Sequence, residues 1–159
     1  MINHQDFHIL LAEDDVNLNS QFFNQLKEKG FHIFPIYDGF QLYQVGSMKN
    51  VRENENLVIV SDTDMPQMDG DEACKKLLQK FPDEYKRKII IGMSDNTQNE
   101  EYWKDIGVWQ TFIYKGHEIA NPNSGKNLAE LVFNRINKIK ANPRFYVLPD
   151  RSLKRCLYQ

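Results

Sequence analysis

Cysteine is scarce in this sequence, and the two cysteines present form no pair motif. Cys74 and Cys156 lie far apart, and neither belongs to a CxxC motif. Disulfide-stabilised scaffolds and zinc fingers need more cysteines at closer spacing. The sequence therefore argues against a disulfide framework or a zinc finger, and it fits the reducing environment of the cytoplasm.

Strong charge of one sign and long apolar runs are also lacking. The formal net charge is only −2, which gives no sign of a basic surface for nucleic acid or membrane lipid. The N-terminal apolar run is short and stops at three consecutive acids, Glu13, Asp14 and Asp15, so it is neither a signal peptide nor a membrane span. We expect no nucleic-acid partner and no membrane insertion.

The hydrophobic pattern alternates between strands and helices along 159 residues, a length that suits one domain. Short apolar runs bounded by polar residues predict strands, at 7–12, 31–36, 57–61, 88–92 and 108–114. Apolar residues at helical spacing predict helices, at 16–29, 39–48, 70–81, 97–106 and 127–140, with loops at 49–56 and 116–126. This alternation indicates an α/β fold, a parallel sheet with helices on both faces.

Polar side chains follow four of the predicted strands, at the point where each strand ends. Glu13 and Asp14 follow the first strand, Asp62 the third, Ser94 the fourth and Lys115 the fifth. Because ligands bind beyond the carboxyl ends of parallel strands, we expect these side chains to share one edge of the sheet. Crowded carboxylates repel unless a cation lies among them, and Mg²⁺ takes such oxygen ligands.

Four motifs at these strand ends occur in a recognisable order: LLAEDD, VIVSDTDMPQMDG, IIIGMS and FIYK. On these motifs, the chain from about residue 6 to 140 resembles the receiver domain of two-component response regulators. The stretch DxxMPxMDG is the most specific part of the match. The resemblance implies a flavodoxin-like, doubly wound sheet of five parallel strands in the order 2-1-3-4-5, within a receiver domain at 1–141.

The resemblance also implies a role for each polar residue. Asp62 matches the aspartate that accepts a phosphoryl group from a histidine kinase or phosphotransfer protein. Asp14 matches a direct Mg²⁺ ligand, and Glu13 matches its neighbour that acts through water. Asp62 itself and the backbone carbonyl of Asp64 are expected to complete the metal ligands. Lys115 is expected to pair with the phosphoryl group as a point charge.

Two further residues match the switching elements of the family. Ser94 is expected to donate its hydroxyl to a phosphoryl oxygen, and Phe112 matches the aromatic residue whose rotamer follows that hydroxyl. Phosphorylation would then repack the surface formed by the fourth predicted helix, the fifth strand and the last helix. The resemblance therefore implies a signalling domain with a downstream protein target rather than an enzyme, beyond its own phosphorylation and dephosphorylation. A homodimer is left open.

The match departs from the family pattern next to two of these residues. Asp95 stands where the family usually has a small residue, so its charge and bulk are expected either to slow phosphoryl transfer or to favour a cation-bridged state. Gly116 follows Lys115 where a proline after a cis bond is usual, so either a trans bond or a strained cis bond is expected. The loops at 50–56 and 117–126 are also longer than usual.

The segment 142–159 is not explained by the resemblance. It combines the apolar run Phe145–Leu148 with four basic residues, Arg144, Arg151, Lys154 and Arg155. Three interpretations stay open: a tail packed on its own domain, an arm for protein interaction or dimerisation, and the first residues of a separate output domain. A DNA-binding module is not expected, because a helix-turn-helix does not fit in so few residues.

Two other functions compete with phosphorylation-dependent signalling. The first is an atypical receiver that serves as a phosphorylation-independent interaction module, which Asp95 and Gly116 favour. The second is a haloacid-dehalogenase-like phosphatase, because VIVSDTD resembles its aspartate motif. However, that motif continues with threonine or valine and lies on a first strand, whereas here Met65-Pro66 follows and two strands precede.

Overall fold

A computed structural model describes residues 3–108, 111–119 and 127–141. The described strands form one parallel sheet in the order β2-β1-β3-β4-β5. The strands are β1 His8–Ala12, β2 His32–Ile36, β3 Leu57–Asp62, β4 Ile89–Ser94 and β5 Ile113–Tyr114. The predicted α/β fold and strand order are therefore confirmed. The segment 142–159 lies outside the described residues, as do residues 120–126 of the predicted loop.

Helices connect the strands and lie on both faces of the sheet. They are α1 Val16–Glu28, α2 Gly39–Ser47, α3 Lys49–Arg52, α4 Gly70–Lys80, α5 Pro82–Tyr85, α6 Glu100–Asp105 and α7 Leu128–Ala141. A 3₁₀ turn, Thr97–Asn99, precedes α6, and a π-helical turn, Lys115–Ile119, follows β5. The predicted helix at 97–106 is thus a 3₁₀ turn that continues as a short α-helix.

Each central strand is apolar on both sides, because the sheet is covered by a separate layer on each face. Ile9 and Leu11 point to one layer, which holds α1 and α7, while Leu10 and Ala12 point to the other, which holds α2, α4 and α6. Strand β3 divides in the same way. This is why the sequence shows continuous apolar runs instead of a polar-apolar alternation.

The last strand is much shorter than predicted. Of the predicted strand 108–114, only Ile113 and Tyr114 pair with β4 among the described residues, against Met93 and Ser94. Val108 instead donates its backbone N–H to the carbonyl of Trp103 in α6, and the Thr111 hydroxyl donates to the carbonyl of Ile90 on β4. The apolar run predicted burial correctly, but it did not predict that a side chain would bond to the β4 carbonyl.

Two predicted loops contain helical turns. The polar segment 49–56 begins with α3, whose Arg52 forms a 2.8 Å ion pair with Glu84 of α5. Arg52 also donates to the carbonyl of Ser47. Four residues are too few to show a helical periodicity, and the ion-pair partner of α3 lies on another helix. The predicted loop at 116–126 likewise begins inside the π-helical turn.

Gly70 lies where helix α4 begins, against the end of β3. Its N–H donates to the carbonyl of Thr63 at 2.7 Å, and an added Cβ would overlap the carbonyl oxygen of Asp62 and the hydroxyl of Ser61. We expect Gly70→Ala to destabilise the fold by about 3 kcal/mol or more, because backbone atoms must shift. Urea denaturation of Gly70→Ala and the wild type measures the difference in the free energy of unfolding.

Gly116 offers a matched control for this substitution. A Cβ at Gly116 would approach only Asp95, at 3.6 Å, an ordinary van der Waals contact. Gly116→Ala is therefore expected to change stability by less than about 0.5 kcal/mol. Equal losses in the two variants would contradict the close approach of α4 to β3.

Candidate functional site

Glu13 lies directly after β1 and is almost completely buried, with 1% of its surface exposed. Its backbone N–H donates to the carbonyl of Ile36 at the end of β2. The buried side chain of Asn19 on α1 donates to the carbonyls of Glu13 and Ile36, at 2.9 and 3.0 Å. Asn19 therefore fixes the loop that carries the acids, a role that its position in an amphipathic helix did not reveal.

Three carboxylates meet at this edge of the sheet. Glu13, Asp14 and Asp62 each place one oxygen within 4.8 Å of the other two. Asp62 is the last residue of β3 and is 7% exposed, while Asp14 is the most exposed of the three. The structure thus brings together the acids that the sequence placed at the ends of β1 and β3.

Lys115 completes the cluster from the end of β5. Its Nζ lies 3.0 Å from Glu13 Oε2 and 3.0 Å from Asp62 Oδ1, and the residue is only 8% exposed. Asp95 adds a more distant carboxylate, at 3.9 Å, from a largely exposed side chain. One buried ammonium group therefore pairs with two buried carboxylates. When both carboxylates are ionised, their negative charge exceeds the positive charge of Lys115.

Burial determines the pKa values in this cluster. Burial raises the pKa of Glu13 to about 7, helped by the charge of Asp62 and opposed by Lys115. Burial also raises the pKa of Asp62 to about 6, again opposed by Lys115. For Lys115, burial disfavours the charge, but Asp62 and Glu13 outweigh burial and raise its pKa. Both carboxylates therefore need more positive charge than Lys115 supplies.

The donor set fits a hard divalent cation. Mg²⁺ binds oxygen ligands through one or two carboxylates and keeps several water molecules. Asp14 and Asp62 could bind the ion directly, and Glu13 lies close enough to act through water. The unbalanced charge of this cluster favours such an ion. That the Asp64 carbonyl is a ligand stays a prediction.

The other residues named from the sequence lie around this cluster. Ser94 ends β4 and is buried; its Oγ accepts hydrogen bonds from the backbone N–H of Asn96 and from Asn99 Nδ2. Phe112 is buried in the apolar layer that also holds α2, α4 and α6. Its ring packs edge-on against that of Tyr114, with the ring centroids 4.8 Å apart. Tyr114 donates its hydroxyl to Glu100 at the start of α6. The switch roles of Ser94 and Phe112 stay predictions.

Two polar contacts near the site were not predicted from the sequence. Asn99 links Ser94 to the carboxylate of Asp64, at 2.9 and 2.8 Å. The indole N–H of Trp103 donates to Thr63, whose hydroxyl donates to the carbonyl of Met93. The sequence around Asn99 and Trp103 suggested only a polar, poorly patterned helix, because most of the partners lie at the end of β4 or in the loop after β3.

The bond after Lys115 is trans, since none of the described peptide bonds is cis. The π-helical turn that begins at Lys115 accommodates this bond while the ammonium group still reaches Glu13 and Asp62. Of the two geometries expected from Gly116, the trans one is therefore found.

The fold agrees with that of solved receiver structures. A chain of the CheX-CheY-BeF3-Mg complex from Borrelia burgdorferi is 20% identical, with a TM-score of 0.61, over 84% of this chain and 89% of that chain. Chemotaxis response regulator CheY4 of Vibrio cholerae is 20% identical, with a TM-score of 0.57, over 84% of this chain and 98% of that chain. The chain has the fold of a response regulator receiver domain.

A third receiver structure has a similar fold. The receiver domain of Francisella response regulator 1452 is 23% identical, with a TM-score of 0.57, over 84% of this chain and 97% of that chain. No protein-family model and no curated protein matches the sequence. In this receiver fold, no helix among the described residues is long and apolar enough to cross a membrane.

The raised pKa of Asp62 predicts how stability depends on pH. The carboxyl group has an ordinary pKa of 3.8 and a folded-state pKa of about 6. Folding therefore favours its neutral form, and this contribution is present below pH 3.8 and lost as the pH rises through 6. In metal-free buffer at pH 8, we expect Asp62→Asn to be more stable than the wild type by about 2–3 kcal/mol.

Urea denaturation of both proteins with a chelator, at pH 4 and at pH 8, measures this difference. The gain should be small at pH 4, because the carboxyl group of the folded wild type is neutral there and that of the unfolded chain, with its ordinary pKa of 3.8, is only partly ionised. Mg²⁺ added at pH 8 should reduce the difference in stability between Asp62→Asn and the wild type, because the ion stabilises the wild-type carboxylates. A gain that is the same at both pH values would contradict a raised pKa at Asp62.

Proposed function

We propose that the protein is a single-domain response regulator of two-component signalling that accepts a phosphoryl group on Asp62. The observation that carries this proposal is the Lys115 ammonium group, 3.0 Å from Asp62 and 3.0 Å from Glu13, at the carboxyl edge of a receiver-fold sheet. Asp14 lies beside both carboxylates. A nucleophilic carboxylate, a fixed cation and a metal-ligand cluster are the groups that phosphoryl transfer needs.

In the proposed reaction, a carboxylate oxygen of Asp62 attacks the phosphorus of a phosphohistidine donor. A new O–P bond forms as the N–P bond breaks, and the imidazole leaves with the bond electrons and takes up a proton. Bound Mg²⁺ would supply positive charge to the phosphoryl oxygens. Lys115 holds Asp62 in place and then pairs with the transferred group, while Glu13 and Asp14 provide the metal site.

The phosphorylated form would signal by altered protein contacts. A phosphoryl group brings more negative charge and further acceptor oxygens to the buried Lys115. The changes would reach α6, β5 and α7 through Ser94 and Phe112, the residues proposed as the switch. We propose a histidine kinase or phosphotransfer protein as donor, a protein as downstream target and the cytoplasm as location. The domain would span 1–141, with 142–159 as a packed tail or interaction arm.

Incubation with Mg²⁺ and acetyl phosphate tests the function. We expect one added phosphoryl group in the intact-mass spectrum, located on Asp62 by peptide mapping. Chelation of Mg²⁺ should prevent the addition. Absence of incorporation from acetyl phosphate and from a phosphorylated phosphotransfer domain would favour the alternative of a phosphorylation-independent interaction module.

One contact favours that alternative. The carboxylate of Asp95 lies 3.9 Å from Lys115 and adds a negative charge beside the group that must receive an anionic donor. The phosphatase alternative has less support, because its second acid would be Asp64, whose carboxylate accepts a hydrogen bond from Asn99. We therefore do not propose phosphatase activity.

Asp95→Ala is expected to accelerate the phosphorylation of Asp62 by acetyl phosphate. The substitution removes a carboxylate that competes for Lys115 and repels the anionic phosphodonor. Because Asp95 is largely exposed, screening limits the effect to about two- to fivefold. The phosphorylation rates of Asp95→Ala and the wild type should differ at low salt and converge at high salt. An unchanged rate would show that Asp95 does not restrict the site.

A further inference from the structure

The side chain of Asn99 joins the loops that follow β3 and β4. It is buried at the end of the 3₁₀ turn before α6, with 4% of its surface exposed. Its Nδ2 donates one hydrogen to Asp64 Oδ2 at 2.8 Å and one to Ser94 Oγ at 2.9 Å. An amide nitrogen has two hydrogens, so both are used. The carboxylate of Asp64 only accepts, which fixes the orientation of the amide.

The two hydrogen bonds that Ser94 Oγ accepts determine whether its hydroxyl can act as a donor or as an acceptor. A serine hydroxyl has one hydrogen and accepts two hydrogen bonds. The backbone N–H of Asn96, at 2.9 Å, and Nδ2 of Asn99 supply both of the bonds that it can accept. The oxygen is therefore saturated as an acceptor, and the hydroxyl hydrogen is left as the group that can bond to another partner.

We infer that Asn99 is a positioning residue that holds Ser94 as a hydrogen-bond donor for the phosphoryl group on Asp62. This inference rests on the proposed function. Asn99 does not touch the reacting atoms; it acts by fixing the oxygen of Ser94 and by tying that oxygen to the Asp64 loop. Because Asn99 directly precedes α6, the same side chain connects the site to the helix proposed for output.

Two substitutions at Asn99 test whether hydrogen-bond donation by its side chain matters. Asn99→Asp has nearly the same shape, and no helix cap is lost because the Asn99 side chain makes no capping hydrogen bond to α6. The carboxylate of Asn99→Asp cannot donate a hydrogen bond, and it would attract the Ser94 hydroxyl away from the site. Asn99→Ala removes the donor without adding charge. We expect the rate of Asp62 phosphorylation by acetyl phosphate to fall about fivefold in Asn99→Ala, and further in Asn99→Asp.

A double-mutant cycle with Ser94→Ala distinguishes positioning from a general structural role. If Asn99 acts through Ser94, then Asn99→Ala should not slow phosphorylation further once the hydroxyl is gone. Urea denaturation of all four proteins shows whether each is folded at the assay temperature. An equal slowing by Asn99→Ala in both backgrounds would show a structural role and overturn the inference.

Incorporation of a phosphoryl group into the wild type distinguishes failure of the proposed function from failure of the role of Asn99. No phosphoryl group on wild-type Asp62 would overturn both the proposed function and the role of Asn99. Normal incorporation in the wild type, with the same rate in Asn99→Ala, would overturn the role of Asn99 alone. A slower Asn99→Ala whose defect disappears in the Ser94→Ala background is the result that supports the inference.

Discussion

Asp62→Asn is expected to reduce Mg²⁺-dependent incorporation of a phosphoryl group to background. Asparagine keeps the size of the side chain and one acceptor oxygen, but its amide is a far weaker nucleophile than the carboxylate. It also removes a negatively charged oxygen from the metal-ligand cluster. Intact-mass spectrometry after incubation with acetyl phosphate measures the loss, and the result does not depend on knowing the natural kinase.

Asp15→Asn is the matched control. Asp15 lies in the same acidic run, is exposed, and caps α1 by accepting a hydrogen bond from the N–H of Leu18. Asparagine caps a helix about as well, so this variant makes the same chemical change without touching Lys115 or the cluster. It should incorporate phosphoryl groups like the wild type. Incorporation into Asp62→Asn at the wild-type rate would place the acceptor on another residue.

Lys115→Met is expected to destabilise the metal-free protein by about 3 kcal/mol at pH 8. Removal of the ammonium group leaves two buried carboxylates, Glu13 and Asp62, without their 3.0 Å partner. The pKa values of both groups are already raised, to about 7 and about 6, and would rise further without Lys115. The loss should therefore shrink as the pH falls towards 5, where protons neutralise the carboxylates.

Lys88→Met provides the control for loss of a buried lysine. Lys88 is also buried, but its Nζ donates to the backbone carbonyl of Asn54, and burial lowers its pKa. Mg²⁺ at pH 8 should bring the stability of Lys115→Met closer to that of the wild type, because the ion supplies the missing charge. The difference in stability between Lys88→Met and the wild type should not change with Mg²⁺, because Lys88 lies outside the cluster. If Lys115→Met were as stable as the wild type at pH 8 without metal, Lys115 would not stabilise the two buried carboxylates.

The sequence determined the layers of the fold. Runs such as Leu57–Ser61 predict strands buried on both faces, and the helical spacing between runs predicts the covering helices. The structure confirms both. The same runs end at Glu13, Asp62, Ser94 and Lys115, so the edge that carries the candidate site could be predicted from local patterns alone. Local patterns suffice here because periodicity and polarity depend on neighbouring residues.

Tertiary structure decided which of these groups meet. The pairing of one ammonium group with both Glu13 and Asp62 depends on the strand order, which brings β1, β3 and β5 to one edge. The contact of Asn99 with Asp64 and the bond of Thr111 to Ile90 beside the short β5 likewise depend on partners far away in the sequence. The raised pKa values of the site are also tertiary properties, because they follow from burial and from charges that only the folded chain brings together.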